Sequence, residues 1–197
     1  MEATSKISEL AKRRIALLYW LLGRGYHDAA AAMTWAEGYH SGTRRGGEPE
    51  FSHQVAIASQ VRCFESLLRH PEATIITAFC HDVREDYDVA DETVRSLYGD
   101  LVADATDALT KEFCGVKRPA AEVFAAISAS PIASVVKGAD RIHNHATMIG
   151  VFTPEKMASY VEETRQYFLP MLKAAPGAPS QTKSRSTSRS PSRCARR

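Results

Sequence analysis

Ile75-Ile76-Thr77-Ala78-Phe79-Cys80-His81-Asp82-Val83-Arg84-Glu85-Asp86 runs from a largely apolar stretch into four side chains that can bind a cation or move a proton. The pattern predicts a helix from Glu72 to Val83, opened by Pro71 and extended by the acidic pair. At about 100° per residue, His81 and Glu85 share one stripe and Asp82 and Asp86 the next, within an arc of about 140°. The apolar half reads as core. Burying so many carboxylates at its end is costly unless a cation offsets them.

The flanking sequence is helical almost throughout. Ser8 precedes a segment carrying Leu10, Ile15, Leu17, Leu18 and Leu21, closed by Gly23 and Gly25. An Ala-rich helix is expected over 28–40, and another over 53–69. The stretch Ser41-Gly42-Thr43-Arg44-Arg45-Gly46-Gly47-Glu48-Pro49 between them holds three glycines and a proline and cannot be helical. Asp91 reads as the N-cap of a short helix ended by Gly99, and 100–109 follows. Pro119 and Pro131 open helices over 120–128 and 132–149, and Thr153 with Pro154 opens the last, to about 174. Strand-like alternation is nowhere sustained. The expected fold is all-α, a bundle of roughly eight to nine helices.

Two further sets of polar residues join the first. On the helix after Pro131, Lys137, Asn144 and Thr147 fall within about 60° of Asp140, on an otherwise apolar element. His53 opens its own helix directly after the Gly-rich loop. His143 and Arg141 are expected to anchor their helix, in reach of a second layer around a metal. His27, His40, His70 and His145 read as surface or packing residues, and Trp20 and Trp35 as core.

The segments 44–53 (Arg-Arg-Gly-Gly-Glu-Pro-Glu-Phe-Ser-His), 78–86 (Ala-Phe-Cys-His-Asp-Val-Arg-Glu-Asp) and 137–144 (Lys-Gly-Ala-Asp-Arg-Ile-His-Asn) resemble the hydrolase domain of the RelA/SpoT family. This is the branch of the HD superfamily that degrades the alarmone (p)ppGpp. Tyr98-Gly99 and Thr110-Lys111 add to the likeness, which covers about residues 25–172. The resemblance implies an HD-domain bundle and hydrolysis of the 3′-pyrophosphate of (p)ppGpp to GDP or GTP and pyrophosphate. It implies one Mn2+ held by His53, His81, Asp82 and Asp140, with Glu85 and Asp86 as the catalytic acidic pair. Arg44 matches a base-stacking arginine, with Arg45 beside it. Asn144 and Thr147 match ribose contacts, and Lys137 is a candidate for phosphate. Two imidazoles and two carboxylates suit a borderline divalent ion. With no room for the family's synthetase and regulatory domains, a small stand-alone hydrolase is expected.

Three positions depart from the family pattern. Gln54 replaces a proline after the first histidine, the segment between His40 and Gly47 is one residue short, and Ala146 beside His145 replaces an arginine. They leave the proposed ligands intact but bear on the choice of nucleotide. An HD phosphohydrolase acting on NADPH or a dNTP, and a non-catalytic nucleotide- or nucleic-acid-binding HD module, are therefore the alternatives.

Charge splits the 197-residue chain at about residue 175. Six of its 25 basic residues and none of its 23 acidic ones lie in 176–197, leaving 19 basic residues against 23 acidic ones before it. Residues 1–175 are expected to form the phosphohydrolase domain. Residues 176–197, rich in Pro, Ser and Arg, are expected to be a disordered tail, an electrostatic arm for nucleic acid or an acidic partner if it has a role. The four cysteines form no CxxC pair, so a zinc knuckle is not expected and a reducing, cytoplasmic setting is. The longest apolar run, 15–22, is too short to span a membrane. It leads into Arg24-Gly25-Tyr26-His27-Asp28 and not into a signal-cleavage site.

Overall fold

The computed structural model describes residues 8–176. The expected Ser/Arg-rich tail, from Gly177 onward, lies outside them. The all-α expectation holds. Helix α1 is Glu9–Arg24, α2 His27–Tyr39, α3 Ser52–Arg62, α4 Pro71–Cys80, α5 Val83–Tyr87, α6 Asp91–Tyr98 and α7 Asp100–Leu109. A two-residue hairpin follows (β1 Glu112–Phe113, β2 Val116–Lys117), then α8 Ala120–Ala129, α9 Ala133–Thr147, α10 Pro154–Glu163 and α11 Leu169–Ala174. A π-helical turn, Thr164–Phe168, joins the last two into one bent rod.

Local signals set several ends. Ser8 Oγ accepts the Ala11 amide at 3.2 Å, and Thr153 Oγ1 accepts that of Lys156 at 3.3 Å. Gly25, at φ +75°, closes α1 with the Tyr26 amide on the Leu21 carbonyl. The hairpin turns on Cys114 and Gly115, both at positive φ, as a two-residue turn requires. Asp91 is a correction: Ala90 takes the cap position, and Asp91 begins α6 with its carboxylate on Arg84 and Arg95, each at 2.9 Å. Two guanidiniums outcompete a backbone amide for one carboxylate.

Helix α4 is the axis of the fold. Every residue from Thr74 to Cys80 is buried, and α2, α3, α7 and α9 pack around it. A helix that is apolar all round belongs inside. Phe79 stacks on Phe51 at 6.4 Å, tying α4 to the residue that precedes α3. The end of α4 is thereby held against the start of α3 and the middle of α9.

The expected helix over 72–83 breaks. It ends at Cys80, turns through His81 and Asp82, and resumes as α5. His81 Nδ1 takes the Ala78 carbonyl at 3.0 Å, the acceptor that a continuing helix would offer to the Asp82 amide. The four groups therefore do not form one helical stripe.

Helix α9 is clamped from its far side. The Arg141 guanidinium lies 3.8 Å from the Tyr160 ring centre and 3.6 Å from that of Phe168, with Nη2 donating to Glu163 Oε2 at 2.9 Å. His145 Nε2 lies 2.8 Å from Thr164 Oγ1 at the π turn. Gly138 faces Leu172, whose Cδ2 would stand 3.4 Å from an added Cβ, within ordinary contact. Arg141→Leu should lower stability by about 2–3 kcal/mol through lost ring stacking and packing. A drop in Tm of about 5–10 °C is expected, and lysine should restore less than half of it. A variant melting within about 2 °C of wild type would refute the clamp. Among the described residues, no single helix is long and apolar enough to cross a membrane.

Candidate active site

Three potential ligand atoms, one each from His53, His81 and Asp82, lie within 4.8 Å of one another. They come from the first turn of α3 and the end of α4, and both histidines are buried. Asp140, buried in the middle of α9, stands beside them with Oδ1 3.3 Å from His53 Nε2. Its other oxygen accepts from Lys137 Nζ at 2.8 Å, and Oδ1 also accepts from Asn144 Nδ2 at 2.6 Å. Residues spread over 87 positions of sequence, from His53 to Asp140, thus converge at one end of the central helix.

The donor set fits a cation. His81 donates through Nδ1 to Ala78, which leaves Nε2 of the neutral ring as a lone pair. That Nε2 is buried without a hydrogen-bond partner. Asp82 Oδ2 lies 2.9 Å away but off the line a proton would need. Two lone pairs converging out of hydrogen-bond alignment suit an ion that both can reach.

Charge is arranged to match. Burial opposes ionisation of Asp82, but His81 beside it holds the carboxylate well below its usual range. Burial likewise opposes the ionised form of Asp140, and Lys137 and His53 outweigh it, leaving this carboxylate far below the usual range. Burial pulls His81 down, yet Asp82 and then Asp140 leave it above an ordinary histidine. Burial dominates at His53, which is lowered despite Asp140. At Asp86, burial and then the charges of Asp82, Glu85 and Glu50 all act in one direction, pushing its carboxyl up to about 6.

Two adjoining hollows surround this centre. One, of about 420 Å³, is lined by His53, Asp82, Asp86, Lys111, Lys137 and Asp140. The other, of about 510 Å³, has a more apolar wall that includes Met148, Ile149, Val151 and Phe152. Arg44, Arg45 and Asn144 line both, and Arg44 Nη2 donates to Asn144 Oδ1 at 3.2 Å. Gly47 takes φ +87° in the loop that carries the arginines, whose ends pair across Thr43 and Pro49.

The sequence-derived candidates are therefore gathered, with differences. Asp82 and Asp86 face the first hollow. Glu85 turns away from it, accepting the Lys111 amide at 3.1 Å with Lys111 Nζ at 3.6 Å. Lys137 is engaged by Asp140. Thr147 lines the second hollow while its hydroxyl donates back to the His143 carbonyl at 3.0 Å. In the sequence Lys111 stands out only as part of the Thr110-Lys111 match, and nothing around it marks it as lining a hollow. A polar chain was missed as well. Tyr87 donates to Glu50 Oε1 at 2.8 Å, and buried His40 lies 3.5 Å from the same oxygen. Only the folding of the loop over α3 brings these three together.

No family model matches the chain. Curated proteins do. It is 34% identical over 149 residues to a probable guanosine-3′,5′-bis(diphosphate) 3′-pyrophosphohydrolase of Synechocystis sp., covering 71% of this chain and 19% of that protein. It is 30% identical over 141 residues to the bifunctional (p)ppGpp synthase/hydrolase SpoT of Escherichia coli K12, covering 67% and 19%. The chain is homologous to the hydrolase/synthase region of RelA/SpoT proteins. A probable GTP pyrophosphokinase of Mycobacterium leprae belongs to the same set, 32% identical over 134 residues, 65% of this chain and 16% of that protein. The chain spans about a fifth of the length of these RelA/SpoT relatives. Kinship with (p)ppGpp hydrolases and a candidate His53/His81/Asp82 metal site point to phosphohydrolase chemistry.

Proposed function

We propose that this protein hydrolyses the 3′-diphosphate of (p)ppGpp, with a divalent cation, Mn2+ by the resemblance to RelA/SpoT hydrolases, held by His53, His81, Asp82 and Asp140. The observation that carries the reading is the pair of joined hollows: a carboxylate- and lysine-lined one at the ligand group, and a more apolar one sharing Arg44, Arg45 and Asn144 with it. A nucleotide has the same division, into charged phosphates and a flat base. The bound ion would supply Lewis acidity toward a phosphoryl oxygen and a lowered pKa for water.

The chain's own groups then divide the work. Asp86, raised toward neutrality and facing the first hollow, takes a proton from the attacking water at its carboxylate. The water oxygen bonds to the phosphorus on the ribose 3′-oxygen, the P–O3′ bond breaks, and the 3′-oxygen leaves and gains a proton. Pyrophosphate and GDP or GTP result. Glu85 orients Lys111, whose ammonium meets the departing pyrophosphate. Arg44 and Arg45 lie where a guanidinium plane can stack on the base, and Asn144 and Thr147 where the ribose would sit. Lys137 keeps Asp140 ionised and in place.

A second reading has an observation of its own. Ala146 lines the second hollow, so that wall carries no cation where the family pattern has arginine. The same hydrolytic chemistry on another nucleotide, such as NADPH or a dNTP, would use that space. Incubating the purified protein with Mn2+ and ppGpp, NADPH or dGTP separates the readings. Pyrophosphate released from ppGpp supports the first. Inorganic phosphate from NADPH or triphosphate from dGTP, with ppGpp untouched, replaces it with the second.

A further inference from the structure

A histidine that binds a cation through Nε2 must carry its proton on Nδ1, and something must accept that proton. His81 uses the Ala78 carbonyl. His53 uses a second ring: its Nδ1 lies 2.8 Å from Nδ1 of His143, with the ring centres 4.8 Å apart. One proton lies between these nitrogens, so one ring donates and the other accepts. The opposite edge of His53 decides which. Its Nε2 faces Asp140 Oδ1 at 3.3 Å and Asp82 Oδ2 at 3.8 Å, the two carboxylates beside which a cation would sit. A cation there needs the Nε2 lone pair, which places the His53 proton on Nδ1.

We propose that His143 is a positioning residue whose Nδ1 accepts the His53 Nδ1 proton and locks His53 in the metal-binding tautomer. This rests on the metal reading above and adds a role for a side chain outside the ligand group. His143 stands three residues beyond Asp140, on the same side of α9. One helix thus supplies a candidate ligand and also aims the ligand of another helix. His143 is itself held because α9 is clamped through Arg141 and His145.

The test is Mn2+ binding to the full chain, followed by the loss of the free-ion electron paramagnetic resonance signal. Wild type should bind, and His53→Ala should lose binding. His143→Leu should weaken Mn2+ affinity roughly 10- to 100-fold, and His143→Asn, which keeps an acceptor near the Nδ1 position, should recover to within about fivefold. At saturating Mn2+, the turnover of ppGpp by His143→Leu should stay within a few-fold of wild type, while the Mn2+ concentration for half-activation rises. Wild-type affinity in His143→Leu would overturn the role of His143 and leave the metal site standing. Wild type that takes up no Mn2+, or His53→Ala that takes up as much, would overturn both. Imidazole 15N spectra of the Zn2+-loaded wild type need no variant to fold. They should show His53 protonated at Nδ1, and protonation at Nε2 would refute the assignment.

Discussion

Asp82→Ala should lower Mn2+-dependent hydrolysis of ppGpp by at least about a thousandfold, some 4 kcal/mol of barrier. Asp82 is the one carboxylate in the tight ligand group, and its Oδ2 lies 2.9 Å from the orphaned His81 Nε2. Loss of fold does not explain such a result in advance. Asp82 stands at the N-cap position of α5 but its side chain makes no capping hydrogen bond, and removing it relieves repulsion from Asp140. It also lowers the Asp86 carboxyl, which Asp82 helps to raise, so the base stays ionised. The accompanying measurement is thermal melting. Mn2+ at a hundred times its Kd should stabilise wild type by about 2.7 kcal/mol and raise Tm by about 5–10 °C. Asp82→Ala should show no such rise. A variant that keeps the Mn2+-induced rise and more than about a tenth of the activity would rule Asp82 out as a ligand.

Lys137→Met should cost the metal-free protein about 3 kcal/mol, a fall in Tm of about 6–12 °C. Lys137 and Asp140 meet at 2.8 Å with side chains only 8% and 10% exposed, so deleting the cation strands a buried carboxylate. Burial acts against the Lys137 ammonium, but Asp140 and other carboxylates hold its pKa above the ordinary lysine value. The stabilisation is therefore complete at neutral pH and is lost only as pH climbs through the folded-state value. From the acid side, Asp140 is depressed, so its share is present above the ordinary carboxylate pKa and lost as pH falls toward its folded value. Asp140→Asn in the Lys137→Met background should recover at least half of the loss, because it removes the unpaired charge. A single variant as stable as wild type would mean the pair contributes nothing. Lys137 would then be free to act as a phosphate ligand alone.

The architecture was readable because its signals are local. Apolar periodicity, Ser8 and Thr153 as caps, Gly25 as a stop and the Gly-rich break at 41–49 each act within a turn or two of themselves. The residues of the candidate site were readable too, as residue types in a familiar order. Their geometry was not. A helical projection put His81, Asp82, Glu85 and Asp86 on one continuous arc, but the His81 ring breaks that helix at the Ala78 carbonyl. Glu85 then turns to Lys111 on the hairpin, and Asp86 alone of the acidic pair faces the hollow.

Residue types, helix ends and the all-α class follow from the chain, since each depends on backbone preferences and on neighbours three or four positions away. Which groups meet depends on packing. His53 finds His143 across 90 positions, and Arg44 finds Asn144 across 100. The buried α4 axis holds α3 and α9 side by side, and no pattern along the chain encodes those distances. Only there, where burial makes each unpaired charge or lone pair costly, do separate polar residues become a single site.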